Sequence, residues 1–277
     1  MTLSARNIFF KGGIIFAALS LCLIVAGGYF ALKAFPVAAE SAALRPGGII
    51  QKLFEELLGP SPYVPLLTML STVLYSLVSI TMIYYFFEKT QTPEILFIGF
   101  FVISLTFEFT RIMIPLKEVF PFPVIFIVAS SRVLLFGRYF GLFSLFASGV
   151  YAAGLDEQKQ QSFLLMLILA ALLIALNVPI DIQVWDSTFM TLNGYRPMFA
   201  MVETGIMVIT IMSFLISAYT RSSRTYMTVA IGIFLVFAGR NILINSDTWI
   251  TPLPGLAILG AGTWFACSRL HSEYLWL

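Results

Sequence analysis

One histidine, His271, and two cysteines, Cys22 and Cys267, are all the sequence holds of imidazole and thiol. That scarcity removes haem held by histidines inside a membrane, His-Glu-X-X-His zinc chemistry and any centre built from a cysteine cluster. The six lysines fall at the ends of apolar runs or between them, so no buried amine is placed for a Schiff base. No pair of mid-run aspartates and no glycine-rich phosphate loop is present either. The chain is therefore expected not to be an enzyme, with no cofactor and no metal. The two cysteines sit in apolar runs at opposite ends of the chain and read as small hydrophobes rather than as a pair.

Charge is equally sparse. Charged residues make up 11% of the 277 and hydrophobic ones 59%, against roughly 25% and 45–50% in a soluble domain. A net charge of +2 without a basic cluster excludes nucleic acid as a partner. No hydrophilic block is long enough for a separate soluble domain, so residues 1–277 are expected to form one integral membrane domain.

What the sequence has in abundance is long apolar runs. They cover 13–32, 64–87, 94–114, 124–153, 163–180, 198–219, 225–245 and 253–270. Each is long enough to cross a hydrocarbon core as a helix, which needs about 20 residues and tolerates roughly 17–25. The expectation is an all-α, polytopic transmembrane helix bundle of about eight spans. Residues 1–35 form an N-terminal anchor, 36–62 an outer segment and 63–277 a seven-helix bundle. The fifth and eighth runs are the shortest, and a count of seven follows if one of them is re-entrant. The first run exceeds the roughly 7–15 residues of a signal-peptide core and is read as a retained anchor.

Positive charge sets the orientation. Arg6, Lys11, Lys89, Lys159, Arg221, Arg224 and Arg269 fall on one side and Lys33, Arg45, Lys52, Lys117 and Arg196 on the other. This predicts both termini in the cytoplasm and a bacterial cytoplasmic membrane. Between the first two spans, apolar residues at 49, 50, 53, 54, 57 and 58 alternate with polar ones at 51, 52, 55 and 56. That pattern predicts a short amphipathic helix on the outer surface. Gly137 and Gly141 have the small-xxx-small spacing that lets helices approach closely, and packing is their default role.

Six charged residues lie inside the runs: Glu108, Arg111, Arg132, Arg138, Glu203 and Arg240. At 1.5 Å per residue, Glu108 is roughly 9 Å and Arg111 roughly 5 Å from the outer end of its span. Arg132 falls at the outer boundary, while Arg138, Glu203 and Arg240 each lie about 8 Å deep. Four helices thus carry charge in one layer, the outer third of the membrane. Intramembrane charges cost a few kcal/mol each and face the bundle interior in pairs. Beside proton coupling through Glu108 or Glu203, two readings follow. One is an ion-pair network that sets helix rotation, with Glu108–Arg111 and Glu203–Arg240 as its pairs. The other is a polar site for a small anionic molecule or lipid headgroup, since arginines outnumber acids and a guanidinium fork suits carboxylate or phosphate. Asn177, Asp181, Asn241 and Asn245 lie near the same layer.

An anchor, a short outer segment and seven helices resemble bacterial seven-helix sensor modules in architecture alone; no residue motif matches, so no residue role transfers. The leading expectation is binding or sensing of such a ligand, with a partner membrane or cytoplasmic protein carrying the output. A secondary transporter is the first alternative, although the inner halves of spans six and seven are almost wholly apolar. A non-catalytic subunit of a membrane complex is the second.

Overall fold

The computed structural model describes residues 3–34, 57–86 and 92–276. Eight long helical units follow one another: α1 (Leu3–Ala34), α2 (Tyr63–Phe86), α3 (93–119), α4 (Val124–Ala152), α5 (Gln160–Asn177), α6 (Arg196–Thr220), α7 (Arg224–Ile244) and α8 (Pro252–Trp276). Helix accounts for 84% of the structure, which makes it an all-α bundle. The apolar runs read from sequence overlap these helices, with most ends within a few residues; α1 begins ten residues before its run and α5 ends three residues before its own. Their cause is local: about 20 apolar residues whose backbone groups must bond within the segment have the helix as their solution.

Among the described residues, seven helices are long and apolar enough to cross a membrane, and α8 is not one of them. Eight helices form, but the spanning count supported by composition is seven. The last turns of α8 carry Arg269, His271 and Glu273, which dilute its apolar stretch. The predicted amphipathic helix over 48–59 lies outside the described residues except for its last part, where Leu57 and Leu58 are helical. Cys22 is exposed and Cys267 is buried; both are free thiols.

Helix α3 is the axis of the bundle, packed against α4 and flanked by α1 and α2. Its most apolar stretch is 83% buried, against 11% for α6, which leaves α6 with a broad flank for lipid. Close approach is set by glycine. A Cβ on Gly137 would collide with Phe107, and one on Gly141 with Ser104, so α4 lies directly on α3 there. The small-xxx-small pair is therefore a seam within the chain. Gly239 meets the backbone of Leu259 in the same way and joins α7 to α8.

Two local departures from regular helix position the charges. Midway along α3 the chain tightens into a 3-10 helix over Leu105–Ile112. Such stretches rarely exceed 3–4 residues, and residues three apart eclipse in them. Between α5 and α6 the chain forms an antiparallel hairpin, β1 (Ile180–Trp185) and β2 (Thr191–Asn193). This hairpin is the one two-stranded sheet among the described residues.

Candidate functional site

The hairpin turn is organised by Asp186. Its Oδ1 accepts hydrogen bonds from the Thr188 hydroxyl (2.7 Å) and from the backbone N–H of Thr188 and Met190 (both 3.1 Å). Its Oδ2 takes the Arg196 guanidinium at 3.0 Å. Burial pushes the Asp186 carboxyl up, but the Thr188 hydroxyl, these N–H groups and Arg196 outweigh it and hold it below the usual aspartate value. Side chains of this type close turns on their own backbone two residues on. Phe189 then takes a positive φ of 56°, a conformation costly for an aromatic residue. It is held there by burial in an apolar cluster with Ile24, Met69, Val73 and Ile112. The turn is thereby pressed into the end of the bundle.

Beneath it lies the charge layer. Glu108, in the 3-10 segment, accepts a two-pronged grip from Arg138 of α4, Nε to Oε1 at 2.7 Å and Nη2 to Oε2 at 2.9 Å. Arg111, three residues on, reaches Glu108 Oε2 through Nη1 at 3.2 Å. The 3-10 geometry explains that contact, because it stacks residue i+3 over residue i. Both arginines continue upward to the hairpin. Arg111 Nε donates to the Thr188 carbonyl at 2.9 Å, and its Nη2 also meets that oxygen. Arg138 Nη1 approaches Met190 Sδ at 2.9 Å. Glu108 and Arg111 are each 3% exposed, so this triad is closed by its own side chains and the hairpin.

Arg132 stands apart. Its Nη1 donates to the carbonyls of Ala175 (2.6 Å) and Val178 (2.5 Å) at the C-terminal end of α5. That end has carbonyls without intrahelical partners and carries the negative pole of the helix, so a cation there is satisfied. The asparagines divide as well: Asn177 bonds its own helix at Leu173, and Asn245 bonds Asn241.

Glu203 and Arg240 are the remaining pair, between α6 and α7. Their closest approach is 3.7 Å, too long for a hydrogen bond. Arg240 is 5% exposed, yet its Nη2 has no hydrogen-bond partner among the described residues. The Glu203 side chain is 36% exposed. Both line a half-open cavity of about 210 Å³, together with Thr204, Met207, Phe234 and Asn241. Of the six candidate residues, three form the closed triad, two the looser Glu203–Arg240 pair, and Arg132 caps a helix.

Several contributors were not legible in the sequence. Thr188 enters through its carbonyl, which any residue offers. Met190 enters through sulfur. Glu94, in the first turn of α3 at the opposite end of the bundle, is a further buried acid. The signal was Pro93-Glu94, a helix start with an acid at the positive pole of the dipole. Among the described residues no three of His, Cys, Asp and Glu gather as a metal site.

The class these features define is a polytopic α-helical membrane protein with a buried ionic layer beneath a hairpin cap. No family model matches the chain. The chain is similar to an uncharacterized protein of Treponema pallidum (strain Nichols), with 27% identity over 138 residues. That match covers 50% of this chain and 37% of the Treponema protein.

Proposed function

We propose that the protein binds or senses a small anionic or lipid-headgroup ligand in the cavity between α6 and α7. The observation that carries this reading is Arg240, whose side chain lines a half-open cavity while its buried Nη2 has no hydrogen-bond partner among the described residues. A buried donor left unmade costs about 1–3 kcal/mol, more when charged, so an acceptor arriving there recovers that cost. The charge layer favours an anion: Arg111, Arg138 and Arg240 face two acids, Glu108 and Glu203. In the proposed orientation all eight helices cross, both termini lie in the cytoplasm of a bacterial cell and the hairpin caps the outer face. The protein acts with a partner that carries the output, without catalysis of its own.

The saturated triad favours a second role for the rest of the layer. Glu108, Arg111 and Arg138 have spent their donors and acceptors on each other and on the hairpin, as a scaffold does. Binding therefore rests on the α6–α7 cavity alone. Thermal unfolding of the purified protein in detergent tests it, with phosphatidylglycerol or inorganic phosphate added. The native protein is expected to gain stability and Arg240→Gln to gain none. Equal gains in both would overturn the reading.

A further inference from the structure

The same cavity has a second underused charge, and its walls are graded along the membrane normal. Glu203 and Thr204 on α6 lie level with Arg240 and Asn241 on α7, toward the hairpin end. Met207 is one turn further along α6 and Phe234 six residues back along α7, both toward the middle of the bundle. The cavity therefore runs from a polar end to an apolar one. Its flank is α6, the helix with the least buried apolar stretch. This is the profile of a site entered sideways from a leaflet by an amphiphile.

The two charges at the polar end are both incomplete. At 3.7 Å Arg240 does not hydrogen-bond Glu203. Arg240 keeps an orphan N–H, and Glu203 is more than one third exposed, with no donor closer than that guanidinium among the described residues. A purely anionic headgroup would satisfy Arg240 but press its charge against Glu203. A headgroup carrying both a phosphate and a primary ammonium satisfies each: phosphate oxygen accepts from the Arg240 guanidinium, and the ammonium N–H groups donate to the Glu203 carboxylate. Both contacts are charge-assisted and roughly twice as strong as neutral ones.

We propose that the occupant is an amphiphile whose headgroup pairs a phosphate with a primary ammonium, its acyl chain lying along Met207 and Phe234. This rests on the binding reading above and narrows it. Native mass spectrometry of the full chain, titrated with phosphatidylethanolamine, phosphatidylglycerol or phosphatidylcholine, tests it. Phosphatidylcholine has the phosphate and the positive charge but no N–H donor. The first bound phosphatidylethanolamine is expected to bind about tenfold tighter than either alternative, the worth of one charge-assisted hydrogen bond. Glu203→Gln keeps Arg240 and is expected to abolish that preference while leaving phosphatidylglycerol at least as tight.

Equal affinity for all three lipids in the native protein, or an unchanged preference in Glu203→Gln, would overturn the aminophosphate assignment. Phosphatidylglycerol binding that still depends on Arg240 would then leave the anion reading standing. Affinity for every lipid that is indifferent to Arg240→Gln and Arg240→Lys would remove both. Phosphoethanolamine without acyl chains, competing as well as the lipid, would overturn the amphiphile part.

Discussion

Arg138 holds Glu108 with both prongs of its guanidinium, at 2.7 and 2.9 Å, and does so from between two glycines that press α4 onto α3. The helix contact and the ion pair are one construction: without Gly137 and Gly141 the fork would not reach the carboxylate.

Removing the acid therefore strands two buried guanidinium groups at once. Glu108→Gln is expected to destabilise the protein by about 3–5 kcal/mol, the cost of breaking a buried pair by losing one partner. Arg138→Lys should recover little, because an ammonium cannot make both bonds. Denaturation in detergent measures both. A melting temperature unchanged by Glu108→Gln would mean that the triad carries no structural weight.

The glycine seam can be tested separately from charge. Gly141→Leu drives a side chain into Ser104 and Phe101, whereas nothing lies within 4 Å of a Cβ at Gly12. The first substitution is expected to lower the unfolding temperature sharply and Gly12→Leu to leave it nearly unchanged. Similar losses from both would show that α3 and α4 do not depend on close approach.

Acid should loosen the hairpin. The folded Asp186 carboxyl sits below its ordinary value, so its contribution is complete above the unfolded value of about 3.9 and is lost as pH falls through the folded one. Hydrogen exchange of the Thr188 and Met190 amides is expected to accelerate at acidic pH after correction for intrinsic rates. In Asp186→Ala it should be fast already at neutral pH. Protection that stays constant from pH 7 to pH 3 would contradict the carboxylate's role in the turn.

The Glu203–Arg240 pair is expected to be worth less than the Glu108 triad, since it is longer and one partner is half-open. Glu203→Gln should lower the melting temperature less than Glu108→Gln does. A double-mutant cycle with Arg240→Gln should show coupling, because at 3.7 Å the two still attract. Strict additivity would separate them.

Orientation can be read by labelling. Ser61 and Ser222 lie at opposite ends of the bundle, near the hairpin end and in the α6–α7 turn. In a background without Cys22 and Cys267, Ser61→Cys is expected to react from outside intact cells and Ser222→Cys only after permeabilisation. The opposite pattern would invert the proposed orientation.

The sequence by itself determined the helices and the positions of the charges along them, because both follow from local quantities. Apolar length decides where a chain must be helical in lipid, and the rise per residue converts position into depth. Residues 124–153 as read and Val124–Ala152 as folded differ by one residue for that reason. What the tertiary structure alone decided is which charges are spent. Glu108 and Glu203 look alike in sequence: each is an acid inside an apolar run, at a similar depth. One is enclosed because a 3-10 segment stacks Arg111 over it, a glycine seam delivers Arg138 and a hairpin supplies a carbonyl. The other meets its arginine across a gap on the thinly packed side of α6. Hydrogen-bond saturation depends on helix rotation, on approaches of a few tenths of an ångström and on backbone carbonyls that every residue carries. None of these leaves a mark in the order of side chains, and together they separate a scaffold from an open site.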